Sequence, residues 1–345
     1  MTRLSLSLLA LFLLVPQLLL AQSNEEVMNA YLDGEFESVV ERASAIVDSP
    51  TASKDDKKMA LEYLGRAHSA MGKMAEAQAA MYDLLELEPP LIELDANRET
   101  PQLMNAYFEA RKDLCGNYTA EPMCGEGPSI RTLAIADFTN AALVDNESYE
   151  PMRQGIANLM INQLGGSTDL KLVERERLQW LLEEQNLQRS ANVDQRTAVE
   201  MGKLLGATYV LFGTYYVQNK GGLFRKRRVM NISMRLVDVS TSEILMTEEV
   251  QGKPGDIFDM ARSLGLSVAQ GINVTLSDDG LAENTNSLDA MMSYNEGIAL
   301  LETGDYRAAH EKFLEALEYD PTYTQAKVKA ESLQPILLAS TAAAG

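Results

Sequence analysis

The sequence predicts a multidomain chain, all-α at both ends and α/β with a mixed sheet between them, and three observations carry that reading. The run Tyr294–Pro321 spaces small and aromatic residues as two closely packed antiparallel helices require. Residues 64–89 repeat much of that spacing near the other end. From Arg131 onward the pattern changes to short apolar runs alternating with amphipathic stretches, which is how strands and their covering helices read. A chain of 345 residues has room for two or three such units, since domains typically run about 100–200 residues.

The first residues stand apart from the folded body. Arg3 precedes the apolar run Leu8–Val15, Pro16 and Gln17 interrupt it, and Leu19, Leu20 and Ala21 follow. That is the layout of a secretory signal peptide over residues 1–21, cleaved after Ala21. The expected location is therefore the periplasm, with any attachment to the outer membrane peripheral. No cysteine stands at the cleavage point to carry a lipid, and no later stretch offers the ~18 uninterrupted apolar residues of a membrane helix. A formal charge of −20 argues against nucleic acid as a partner, because phosphate-tracking surfaces are basic.

Residues 22–113 read as helical hairpins. Ala30, Tyr31, Gly34 and Phe36, with Val39, Ala43 and Ile46, outline one pair of helices. Leu64, Gly65 and Ala67, then Gly72, Ala77, Met81, Leu84 and Pro89, outline a second. Stacked hairpins close their core only against neighbours, so a helix over Thr100–Asp113 carrying Leu103, Met104, Tyr107 and Phe108 is expected to pack next. Residues 114–130 are rich in Gly, Pro and polar residues and read as a linker. Cys115 and Cys124 fall in it. In an oxidising compartment they can close a small loop worth roughly 2.7 kcal/mol by loop-closure entropy. Two free thiols are the alternative, and a zinc site would lack half its ligands. No metal or cofactor is expected.

The central unit spans residues 131–276. Apolar runs at Arg131–Phe138 and Leu170–Val173 read as strands, and Tyr149–Leu164, Arg175–Leu187 and Gln195–Leu205 as helices. Thr208–Val217 and Val229–Asp238 form a hairpin across the polar loop Gln218–Arg228. Glu243–Val250 adds a strand before a helix over Gly255–Val274. After a second linker, 277–286, comes the C-terminal hairpin, 287–335. Gly297 and Ala309 let two helices approach, Tyr306, Phe313 and Ala316 fill the seam, Gly304 turns the corner and Pro321 stops the second helix. Thr324–Leu333 is expected to cap it, with 336–345 a disordered tail.

The C-terminal hairpin, and less closely the one carrying Gly65, Ala77 and Pro89, resembles the tetratricopeptide repeat, which implies grooves that hold protein segments. The central unit resembles the CsgG family of curli assembly and transport components. Four stretches carry the likeness: Leu133-Ala-Ile-Ala-Asp-Phe138, Leu172-Val-Glu-Arg-Glu-Arg-Leu178, Gly202-Lys-Leu-Leu-Gly-Ala-Thr-Tyr-Val-Leu-Phe-Gly213 and Arg235-Leu-Val-Asp-Val239. The resemblance implies a periplasmic α/β domain in proteins that assemble, secrete or activate envelope components, with no catalytic residues. Three functions compete: an envelope interaction scaffold, with envelope proteins as partners and self-association as one mode; an outer-membrane secretion-channel subunit; and an activator of a cell-wall synthase, similar to the LpoB group. A pore needs inserted membrane-crossing hairpins, and two helices use up the sequence between Val173 and Thr208, so no pore is expected.

One charge feature breaks the acidic balance. Lys220, Arg225, Lys226, Arg227 and Arg228 place five cations within nine residues, with Leu223 and Phe224 among them, as a loop that could meet anionic lipid or an acidic partner. Enzymatic chemistry finds little support. Both histidines, His68 and His310, sit inside hairpins, and neither a phosphate-cradling glycine loop nor a nucleophile elbow is present.

Overall fold

The computed structural model describes residues 23–87, 94–116, 131–165, 167, 170–184, 193–221, 226–276 and 285–342. The signal-peptide reading, Pro89, Cys124, most of both linkers and the loop positions Leu223, Phe224 and Arg225 lie outside them.

The N-terminal helices are α1 (Asn24–Leu32), α2 (Phe36–Asp48), α3 (Lys54–Ala70), α4 (Met74–Leu87) and α5 (Pro101–Cys115). Local chemistry sets their starts. The Ser23 side chain accepts from the Glu26 amide, Ser53 and Asp56 form a reciprocal capping box, and Thr100 caps α5 with Pro101 in its first turn. The corners use left-handed glycines: Gly34, Gly72 and, in the C-terminal hairpin, Gly304 have φ of 75°, 72° and 80°. As expected, α5 packs on α4.

The central elements are β1 (Arg131–Ile135), β2 (Thr139–Asn140), α6 (Met152–Leu164), β3 (Leu170–Leu172), α7 (Arg175–Glu184), α8 (Gln195–Leu205), β4 (Tyr209–Lys220), β5 (Arg227–Asp238), β6 (Ile244–Gly252) and α9 (Ile257–Gly271). Among the described residues they form a six-stranded mixed sheet of order β3-β1-β4-β5-β6, with β2 pairing beside β4. β1 runs parallel to β3 and β4, whereas β4, β5 and β6 are antiparallel. The period of two in β4 sends Leu211, Tyr215 and Val217 to a core shared with α6 and α9. It sends Val210 and Phe212 to a second core shared with α7, α8, α4 and α5. The centre of the sheet is thus covered on both faces.

β1 is shorter than the sequence predicts, ending at Ile135, and Phe138 leaves the strand to lie over Gly213 of β4. A Cβ at Gly213 would stand 2.3 Å from the Phe138 ring and 2.6 Å from the Ser233 carbonyl. The β4–β5 hairpin is longer than predicted, because the ladder continues to the pair Lys220–Arg227.

Three C-terminal helices follow: α10 (Leu288–Glu302), α11 (Tyr306–Tyr319) and α12 (Thr324–Ala342). The expected tail from 336 is therefore helix as far as Ala342. α12 continues through Pro335 because it lies across the corner of the first hairpin: a Cβ at Gly34 would stand 2.9 Å from both the Ala339 amide and the Pro335 carbonyl. Burial of Pro335 and Ile336 there offsets the proline's lost hydrogen bond.

The two chain ends share one core. Val27, Phe36, Val39, Ala43 and Ala67 cluster with Tyr294, Phe313, Ala316, Ala330 and Leu333. The separate N- and C-terminal helical domains expected from the sequence are one layer, and α5 joins it to the sheet. Buried Lys329 of α12 reinforces the union, its Nζ donating to the carbonyls of Ala96 at 2.7 Å and Glu99 at 3.0 Å. The Glu99 side chain in turn receives the Arg66 fork at 2.6–3.1 Å. Burial drives the Lys329 pKa down, against the pull of Glu176 and Glu99.

Candidate functional site: a cleft between the sheet and helix α10

β1 and β3 are neighbours whose outgoing connections separate, β1 leading to α6 on one face and β3 to α7 on the other. Such a divergence opens a crevice at the carboxyl ends of the strands. Asp137 enters it from the β1 side and Arg175, first residue of α7, from the β3 side. Arg175 Nε and Nη2 donate to Asp137 at 3.1 and 3.3 Å, and Nη2 also donates to Glu302 of α10 at 3.1 Å. Burial works against the Arg175 charge, but Asp137 and Glu302 outweigh it and raise its pKa.

α10 lies alongside α6 as well. A Cβ at Gly155 would stand 3.0 Å from Asn295 Nδ2 and 3.2 Å from Met291 Cε, so the glycine sets how near the helices come. Asn158 donates to Asn295 Oδ1 at 3.1 Å, and Gln154 to Glu302 at 3.3 Å. From the α5 side, Gln102 donates to the Leu301 carbonyl at 3.0 Å. The end of α10 is thus pinned from both the sheet domain and the helical layer.

Beside this junction lies a cleft of about 570 Å³ between α10, the start of α6, α7 and the start of α8. Among the described residues, Asp137, Glu147, Glu150, Glu296 and Glu302 line it together with the guanidinium of Arg153. Its apolar wall includes Ala299, Leu300 and Leu182. The volume is that of an ordinary ligand cleft, roughly 300–1,000 Å³. Among the described residues no cluster of His, Cys, Asp and Glu could hold a metal ion.

The residues singled out from the sequence fall mostly elsewhere. Gly65, Ala77, Gly297, Ala309, Phe313 and Ala316 are buried in the helical layer. A Cβ at Gly65 would meet Met81 Cε at 2.3 Å, and one at Gly297 the Phe313 ring at 2.6 Å. Tyr306 opens α11 half-buried, Gly304 makes the corner before it, and Pro321 lies exposed in the turn after it. Cys115 is the last residue of α5 and is disulfide-bonded. The predicted basic loop is corrected: Lys220 belongs to β4, and Arg227 and Arg228 belong to β5. Arg228 is engaged internally, pairing with Asp145 and lying 6.0 Å from the Tyr149 ring centre. Lys226 and Arg227 are exposed. Sequence reasoning did not find the cleft, although Asp137 and Arg175 both stand in stretches that carry the family likeness.

The family model described as curli production assembly/transport component CsgG matches residues 118–222, and a tetratricopeptide repeat model matches residues 293–323. The chain therefore carries a CsgG-family domain with a tetratricopeptide repeat packed on it. Among solved structures, the lipoprotein GNA1162 of Neisseria meningitidis aligns at 12% identity and a TM-score of 0.29, covering 41% of this chain and 99% of that one. The LpoB C-terminal domain of Escherichia coli aligns at 16% and 0.24, covering 46% and 99%. TolB of Acinetobacter baumannii aligns at 14% and 0.28, covering 42% of this chain, which spans only 29% of TolB. These partial likenesses are too slight to transfer function. No curated protein matches the chain.

Proposed function

We propose that this protein is a non-enzymatic interaction scaffold of the cell envelope that holds a partner protein during assembly or secretion of envelope components. The observation that carries this reading is the cleft walled on one side by the tetratricopeptide helix α10 and on the other by the CsgG-type domain. The leader-like sequence and the family description support an envelope location. The shared glycine corners at Gly34, Gly72 and Gly304 support reading α1–α4 as tetratricopeptide hairpins of the same layer. A channel fits less well, because the long β4–β5 hairpin is paired on both sides and its base is packed by helices on both faces.

The test is site-specific photocrosslinking in cells with the full chain. A photoreactive residue at Ala299, exposed on the cleft wall, is expected to give a discrete adduct with another envelope protein. The same residue at Leu314, 44% exposed on α11, is the control. Equal adducts at both positions, or none at Ala299, would overturn the reading.

A further inference from the structure

We infer that the far end of the β4–β5 hairpin docks on an anionic phospholipid bilayer, an assignment independent of what fills the cleft. The ladder fixes the shape of this end. Val217–Met230 is its last pair with both members buried, and three further pairs carry the strands on to Lys220–Arg227. At about 3.4 Å per residue the hairpin runs roughly 10 Å past that pair. Lys226 and Arg227 stand exposed there and Lys220 half-buried, and none of the three takes part in an ion pair among the described residues. Lys253, exposed just after β6, joins them from the neighbouring strand, since β6 ends with Gly252 opposite Met230.

This concentration of cations runs against the rest of the chain, which carries 50 acidic and 30 basic residues. β4 and β5 hold no acidic residue short of Asp238, at the opposite end of the hairpin. Asp145, in the adjoining loop, is already neutralised by Arg228. A patch of one sign on a body of the other selects a partner of negative charge. A second feature favours a bilayer over an acidic protein. Leu143 is 74% exposed, and its amide donates to the Val217 carbonyl, so it flanks the same end of the sheet. Cations on a projecting finger beside one presented aliphatic side chain suit a headgroup layer, where each Lys or Arg adds its own attraction. A stable protein interface uses instead a broad face of ~800 Å² per partner. The acidic body does not forbid the approach, because at physiological salt its charges are screened over about 8 Å, less than the reach of the hairpin.

The test is co-sedimentation at physiological salt of the chain from residue 22 onward, since the apolar leader would itself partition into lipid. Two vesicles are compared, one of equal parts phosphatidylglycerol and phosphatidylcholine and one of phosphatidylcholine alone. The protein is expected to partition at least about tenfold more strongly onto the anionic vesicles. Each cation near the surface is worth about fivefold, so Lys220→Gln, Lys226→Gln and Arg227→Gln together should weaken partition about a hundredfold. Leu143→Asp, which sets a negative charge beside the same end, should weaken it about fivefold. Leu314→Asp, on α11, which packs against α10 and α12, should leave it unchanged. Circular dichroism melts establish that the variants fold. Lys226→Gln with Arg227→Gln, confined to the two exposed positions, serves if the triple variant does not fold, with an expected loss of about twenty-five-fold.

Protein that stays in the supernatant, equal sedimentation with both vesicles, or sedimentation untouched by the folded hairpin variants would overturn the assignment. Failure to sediment, together with binding of dye-labelled polyglutamate that the triple variant loses, would overturn it in favour of an acidic protein partner. None of these results bears on the scaffold reading, which is decided by the crosslink at Ala299.

Discussion

Replacing Arg175 by Met tests the junction between the sheet and α10 at its centre. The guanidinium is 7% exposed, and its two acceptors, Asp137 and Glu302, are 13% and 11% exposed. Methionine fills much of the volume but leaves two largely buried carboxylates without their shared counter-charge. Breaking a buried pair by removing one partner costs about 3–5 kcal/mol, whereas replacing the whole group by neutral residues is often close to neutral. Arg175→Met is therefore expected to lose about 3–5 kcal/mol. The triple variant Asp137→Asn, Arg175→Met, Glu302→Gln should recover to within about 1–2 kcal/mol of the parent. Urea titration followed by far-ultraviolet circular dichroism reads both, with an unchanged slope showing that the same surface is exposed on unfolding. A loss below about 1 kcal/mol for Arg175→Met, or no recovery in the triple variant, would refute the reasoning.

Gly297→Ala places a methyl 2.6–3.0 Å from three atoms of the Phe313 ring. Overpacking is expected to cost about 1–3 kcal/mol, which exceeds the ~1 kcal/mol gained in helix propensity; a rise in urea midpoint would contradict it. Burial raises the pKa values of Tyr31, Tyr215, Tyr294 and Tyr323. Because the folded values lie above the unfolded value near 10, stability is intact below about pH 10 and is lost as pH rises beyond it. Absorbance at 295 nm should show these tyrosines ionising together with loss of helical circular dichroism; reversible ionisation with the helix signal intact would contradict the burial.

The hairpins were legible because their packing is local. Gly297 and Phe313, or Gly65 and Met81, meet across a single helical corner, so spacing alone implies the contact. The central strand β4 was legible for a related reason, its continuous apolar run Tyr209–Phe212 being the mark of burial on both faces. The union of the chain ends was not legible, since nothing in the spacing of Val27 and Phe36 names Phe313 or Leu333 as neighbours. The helix expected over Thr324–Leu333 runs further, because Ile336 continues the buried face of Ala326, Ala330 and Leu333 past Pro335. The cleft escaped notice because Arg175 meets acids 38 and 127 residues away. Within its own segment it reads only as a residue of a helix's first turn.

Native-state hydrogen exchange on the full chain tests most directly whether the two ends form one layer that walls the cleft. Amides of α2 and α3 should open with the same free energy as those of α11 and α12, and Phe313→Ala should lower protection in all four helices together. N-terminal helices that open separately at lower free energy, with protection untouched by Phe313→Ala, would contradict the account.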